Sequence, residues 1–164
     1  MCKISVYLLR FMLIINFLFA GCALKPVDII KNADYTKYKF VYVPPSNTVT
    51  STNGYVNTSY SGYTYGSSYT QQTSPSDIIN GFFMKKNFII VNEIRSPENT
   101  IIINYGQSGK RDIAGGIAYT LEVTIQLLDA KTHKLIFQCS AEGMGSTEAE
   151  DIRIAINRCL ESLQ

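Results

Sequence analysis

The chain has 164 residues, enough for one domain with a modest core. Its 15 Lys and Arg against 13 Asp and Glu leave a formal net charge of +2, and no basic stripe runs along it, so the electrostatic footprint of a nucleic-acid-binding protein is absent. An apolar run of about 20 residues, the length a membrane-spanning helix needs, is missing as well.

Lys3 and Arg10 are the only charges before Cys22, and Phe11 to Ala20 is apolar except for Asn16. A positive start, a short apolar run and small residues at its end predict a secretory signal peptide over 1–21. The residues that close it, Phe19-Ala20-Gly21-Cys22, resemble the lipobox of bacterial lipoproteins. That resemblance implies cleavage before Cys22, a thioether-linked diacylglycerol on its sulfur and acylation of the new N-terminus. One acyl chain binds a bilayer marginally, at about 0.8 kcal/mol per buried CH₂, and two or more hold firmly. Ala23-Leu24-Lys25-Pro26 follows, without an Asp beside the cysteine and without an acidic run. By the same analogy the protein is expected on the outer membrane, facing the periplasm. Loss of Lys3 and Arg10 leaves 13 basic residues against 13 acidic ones, so the basic pI of the full chain disappears on maturation.

Of the four cysteines, Cys2 leaves with the leader and Cys22 carries lipid. Cys139 and Cys159 remain. An exported compartment permits a disulfide between them. The alternative is two buried thiols acting as small hydrophobes.

Residues 22–37 show little periodicity and read as a lipidated tether with one helical turn. Tyr38-Lys39-Phe40-Val41-Tyr42-Val43 predicts the first strand, ended by Pro44-Pro45, which cannot donate to a ladder. Residues 46–73 then carry no charge at all and are punctuated by Tyr55, Tyr60, Tyr63, Tyr65 and Tyr69. Such a polar, low-complexity tract is expected to be a mobile insertion. The other reading is a Tyr-rich contact surface, its second half a hairpin turning at Ser61-Gly62.

Ser74-Pro75-Ser76-Asp77 marks a helix start, with Ile78, Ile79, Phe82 and Phe83 on one face and Lys85, Lys86 and Asn87 at its end. Phe88-Ile89-Ile90-Val91 predicts a short strand buried on both faces. Strand, helix, strand implies a parallel pair. Residues 100–104 return as a strand. Gly106 to Gly116 reads as a loop, either a bulged hairpin or, through Lys110 and Arg111, an anion site; no helix follows to aim amides at a ligand. Tyr119, Leu121, Val123, Ile125 and Leu127 alternate with Thr120, Glu122, Thr124 and Gln126, the pattern of a strand with one wet face. The partner strand carries Leu135, Phe137, Cys139 and Ala141 inward and Gln138, Ser140 and Glu142 toward water. Thr147-Glu148-Ala149-Glu150 is a capping box. It opens a helix to about Leu163, with Ala149, Ile152, Ile156, Cys159 and Leu163 on one face.

Residues for catalysis are scarce. His133 is the sole histidine and lies in a hairpin turn, where its tolerance of left-handed backbone is useful. No zinc-ligand spacing accompanies it. Gly106-Gln107-Ser108-Gly109 has its second glycine one place too early for a nucleophile elbow. Glu142, Glu148, Glu150 and Asp151 form an acidic cluster near a helix N-terminus, where the dipole stabilises carboxylates. The expectation is a non-enzyme without metal or cofactor.

The stretch from Leu121 to Phe137, an alternating strand, then Asp129-Ala130-Lys131-Thr132-His133-Lys134, then an apolar strand with a helix to follow, resembles small Gram-negative lipoproteins with a domain of unknown function. The layout of residues 38–163 is also similar to lipoprotein accessory domains related to the TolB N-terminal domain and to peptidoglycan-synthase activators. The fold expected over 38–164 is α+β in two layers: one mixed, mostly antiparallel sheet of about five strands, with two helices on one face. The function expected is a lipoprotein bound to the membrane through Cys22 that contacts another envelope component. The alternative is a glycan- or small-molecule-binding lipoprotein that stacks ligands on the tyrosines of 46–73.

Overall fold

The computed structural model describes residues 23–61, 63–116 and 118–163. Cys22 and the expected leader lie outside the described residues. The elements in order are β1 (Asp28–Lys31), β2 (Phe40–Tyr42), β3 (Val49–Thr58), β4 (Thr64–Thr73), α1 (Pro75–Lys85), β5 (Ile89–Ile90), β6 (Thr100–Ile113), β7 (Ala118–Asp129), β8 (Leu135–Gly143) and α2 (Glu148–Glu161). Six strands form one sheet in the order β1-β8-β7-β6-β2-β5, and β3 with β4 forms a separate two-stranded sheet. β2 runs parallel to both β5 and β6, and the other pairings of the six-stranded sheet are antiparallel. The fold is α+β, with a mixed, mostly antiparallel sheet and two helices.

The core lies between sheet and helices. Leu121, Val123, Ile125 and Leu127 of β7 meet Phe137, Cys139 and Ala141 of β8, with Ile79 and Phe83 of α1 and Ile152, Ile156, Cys159 and Leu160 of α2 against them. The alternation of β7 and β8 thus delivers one continuous apolar face, as a period of two requires. At the helix starts the local chemistry splits. Thr147 Oγ1 accepts from the Glu150 amide at 3.2 Å, but the Glu150 carboxylate reaches back to the amide and hydroxyl of Ser146 rather than to Thr147. Ser74 precedes α1 without a side-chain cap; its carbonyl accepts from the Asp77 and Ile78 amides instead.

Four expectations need correction. The segment read as a tether is part of the domain: β1 pairs antiparallel with β8, from Asp28 on Ser140 to Lys31 on Phe137, and Tyr35 and Tyr38 enter the core. An edge strand of four residues is held by its neighbour's ladder and has no periodicity of its own to read. The strand around Phe88 is not buried on both faces. β5 is the opposite edge of the sheet, and Ile89 is 46% exposed. The loop expected from Gly106 is a continuation of β6, which pairs with β7 as far as Ile113 opposite Ala118, with one irregularity between Gln107 and Gly109. Glycines weaken a strand, but twelve residues of β7 supply the partner that overrides them. Finally, Glu142 does not point to water: it is 2% exposed, because Arg111 and Lys25 close over it. His133 behaves as read, with φ of 55° in the turn where Asp129 accepts from the Lys131 and Thr132 amides.

Candidate contact surface

Within the tract from 46 to 73, the strands 49–58 and 64–73 form a hairpin, where a mobile insertion was the expectation. Ten residues of β3 pair with ten of β4, from Val49 opposite Thr73 to Thr58 opposite Thr64. The turn is closed by the Ser59 amide donating to the Tyr63 carbonyl. The pairing therefore takes in the first half of the tract as well as the second half read as a hairpin from sequence.

Polar contacts to the start of α2 fix the root of this arm. Thr73 Oγ1, 4% exposed, donates to the Ala149 carbonyl at 2.9 Å. Ser51 Oγ accepts from the Ala149 amide at 3.1 Å, Thr147 Oγ1 donates to Gln71 Oε1 at 2.9 Å, and Asn53 donates to the Ser146 carbonyl. The first turn of a helix has unpaired amides, and Ser51 answers the one at Ala149. Past Asn53 and Tyr69 the arm stands away from the domain. Tyr55, Val56, Tyr60, Tyr63 and Tyr69 are exposed there, Tyr69 the least so at 57%.

Register sorts these residues. Tyr55 lies opposite Ser67 and Tyr69 opposite Asn53, so Tyr55 and Tyr69 share one face as diagonal neighbours. The other face is small and hydroxylic: Thr52 opposite Thr70, Gly54 opposite Ser68, Val56 opposite Gly66. Tyr60 and Tyr63 sit at the tip. Tyr65 pairs through its backbone with Asn57, and its side chain lies outside the described residues. The five tyrosines thus belong to one arm but not to one surface.

A second cluster lies at the opposite face of the sheet. Arg111 grips Glu142 with Nε on Oε1 at 2.8 Å and Nη2 on Oε2 at 2.7 Å. The Lys25 amide donates to Glu142 Oε2 at 3.0 Å, and the Lys25 ammonium lies 3.5 Å from Oε1. The Arg111 guanidinium beside it, more than any other cause, holds the Glu142 carboxyl down to about 2. Arg111 also donates to the Ala23 carbonyl at 3.2 Å, and Arg158 donates to the Lys25 carbonyl at 2.8 Å. The first residues after Cys22 are therefore pinned to the sheet. In sequence Arg111 lies 31 residues from Glu142 and Lys25 lies 117 from it, too far for local patterning to pair them. Lys110, the other cation of the expected loop, lies 3.8 Å from the centroid of the Tyr119 ring. Both cations are engaged within the chain.

Cys139 of β8 and Cys159 of α2 are joined by a disulfide in the middle of the core, both fully buried. Glu150 and Asp151 serve the turn before α2, Asp151 accepting from the Gly145 amide; burial pushes the Asp151 carboxyl up. Among the described residues no helix is long and apolar enough to cross a membrane, and no three His, Cys, Asp or Glu side chains gather as a metal site.

The chain matches no protein-family model and no curated protein. Among solved structures it is similar to a PelC dodecamer from Paraburkholderia phytofirmans, with 12% identity and a TM-score of 0.44, over 84% of this chain and 92% of that one.

Proposed function

We propose that this protein is a non-catalytic envelope lipoprotein, anchored through acylated Cys22 at the outer membrane and facing the periplasm, whose β3–β4 arm contacts another envelope component. The observation that carries the contact half is the arm itself: within 28 consecutive uncharged residues, 46–73, β3 and β4 pair as a hairpin that leaves Tyr55, Val56, Tyr60, Tyr63 and Tyr69 exposed. Tyrosine supplies a large contact area with few rotatable bonds. A two-stranded hairpin alone is marginally stable in water, so a free arm of this length is better suited to lying against something than to standing in solvent. The anchor half is supported by the leader and by Phe19-Ala20-Gly21-Cys22. Two measurements test the halves apart. Palmitate label is expected to enter the wild-type chain and to vanish in Cys22→Ser; label that persists removes the anchor. Deletion of residues 50–72 is expected to abolish crosslinks in the native envelope; an unchanged pattern removes the arm as the contact.

Binding of a glycan to the arm is the second reading, favoured by Tyr55 and Tyr69 standing side by side on one face. It requires quenching of tyrosine fluorescence by oligosaccharide that is lost in Tyr55→Ala with Tyr69→Ala.

A further inference from the structure

We infer that the partner of the β3–β4 arm is the arm of a second copy of this chain, joined edge to edge so that two hairpins form one four-stranded sheet. This rests on the arm being the contact.

An edge strand presents a row of unpaired amides and carbonyls, and proteins normally guard such rows with short strands, charges, prolines or bulges. The six-stranded sheet of this molecule follows the rule. Its β1 edge is four residues long and carries Asp28 and Lys31, and its β5 edge is two residues long. The arm breaks the rule on both sides. β3 and β4 are ten residues each. They pair without a register shift and contain neither a charge nor a proline. In a two-stranded antiparallel ladder about half of each strand's backbone groups point away from the partner strand. Each edge of the arm therefore offers about five unpaired residues.

Two features choose a second copy over a different protein. Complete neutrality suits a homomeric contact in particular. Identical chains bring identical charges together, and a like charge directly opposite its counterpart is destabilising in a sheet. A single Lys in the arm would oppose self-pairing, yet would be harmless or useful against an acidic partner. The two edges also match each other: both are ten residues long, uncharged and unbulged, so an edge of one copy meets an equivalent edge on the next. Pairing places the Tyr55 and Tyr69 faces of both hairpins on one side of the enlarged sheet, and the Thr52, Thr70 and Gly54 faces on the other.

The test uses the full-length chain purified in mild detergent, with mass read by light scattering over a range of concentrations. The wild type is expected to be dimeric or larger, and its association insensitive to salt, because no charge lies in the contact. Thr52→Lys with Thr70→Lys adds the guard that the edges lack. Both positions are exposed, and their hydroxyls meet only each other at 3.1 Å. The double-lysine chain is expected to associate at least tenfold more weakly, while Thr52→Ser with Thr70→Ser keeps the wild-type mass. Thermal unfolding with the Cys139–Cys159 bond intact verifies that the domain is folded in each variant. A monomeric wild type, or a double-lysine chain that associates equally well, overturns the inference. A photocrosslinker in place of Tyr60, activated in the native envelope, separates this from the broader reading. An adduct of this chain with itself supports self-pairing. An adduct with a different protein overturns self-pairing and leaves the arm as a contact. No adduct overturns both.

Discussion

Arg111 and Glu142 meet in parallel, Nε to Oε1 at 2.8 Å and Nη2 to Oε2 at 2.7 Å, at a carboxylate that is almost wholly buried. Paired guanidinium and carboxylate forks are the strong form of charged hydrogen bond. The Glu142 carboxyl is lowered from 4.5 to about 2 in the folded chain. A depressed acid contributes its full stability above its unfolded value and loses it as the pH falls through its folded value. Stability should therefore drop between about pH 4.5 and pH 2. Glu142→Gln should cost about 2 kcal/mol at neutral pH, since a buried charged partner is lost. It should also flatten that acid limb in a series of urea titrations.

Tyr38 donates to Asp129 Oδ2 at 2.6 Å, tying the start of β2 to the end of β7. This bond is the first cause of Asp129 being lowered to about 2. Burial and then the same carboxylate push the Tyr38 phenol up to about 12. Tyr38→Phe keeps the ring in the core and removes the donor. The expected loss is about 1 kcal/mol, with the Asp129 resonance titrating closer to an ordinary carboxylate when followed by NMR.

Gly143 ends β8 where α2 crosses it. A Cβ at this position would overlap the Asp151 carbonyl and press on the Ala155 amide. Both obstacles are helix backbone and cannot swing aside. Gly143→Ala should destabilise the domain by about 2 kcal/mol or more, whereas Gly106→Ala, with nothing within 4 Å, should be close to neutral. Paired denaturant curves of the two variants check this.

The Cys139–Cys159 bond closes a loop of sequence separation 20. Constraint of the unfolded chain at that length is worth about 3 kcal/mol. Reduction, or Cys139→Ala with Cys159→Ala, should lower the melting temperature by about 10 °C. A shift near zero would mean that packing alone holds α2 on β8.

Thr73 Oγ1 donates to the Ala149 carbonyl in a buried position. Thr73→Val preserves shape but removes this donor, leaving the Ala149 carbonyl with only its intrahelical partner, at a cost of about 1 kcal/mol. The loss falls on the root of the arm, so amides of β3 and β4 should exchange faster in Thr73→Val while those of β7 are unchanged.

What could be read ahead of the structure is what neighbours in sequence decide. The alternation from Tyr119 to Leu127 and the Thr147 cap are local, and both elements form where expected. The arm illustrates the opposite case. Its Ser, Thr and Asn residues look like material that cannot order itself, because the groups that order it are distant. Ser51 answers the amide of Ala149 from 98 residues away. The same holds for β1, whose exposed Asp28–Lys31 has no inward face to announce it, and for Glu142, which looks like a wet-face residue until Arg111 and Lys25 fold over it. The tyrosines were legible as exposed aromatics, but their division between one face and a tip depends on a register that composition does not carry.

The Ala23–Lys25 clamp changes what an anchor at Cys22 would mean for reach. A free leash from residue 22 to residue 37 would let the domain wander about 50 Å from the bilayer at full extension. Here Arg111 already holds the carbonyl of Ala23, so an acyl group on Cys22 would be joined to a folded surface by a single residue, about 3.5 Å of chain. A protein so anchored would be mounted rather than moored: its orientation against the lipid would be set by the sheet, and whatever it met would have to come to the height at which the arm is carried.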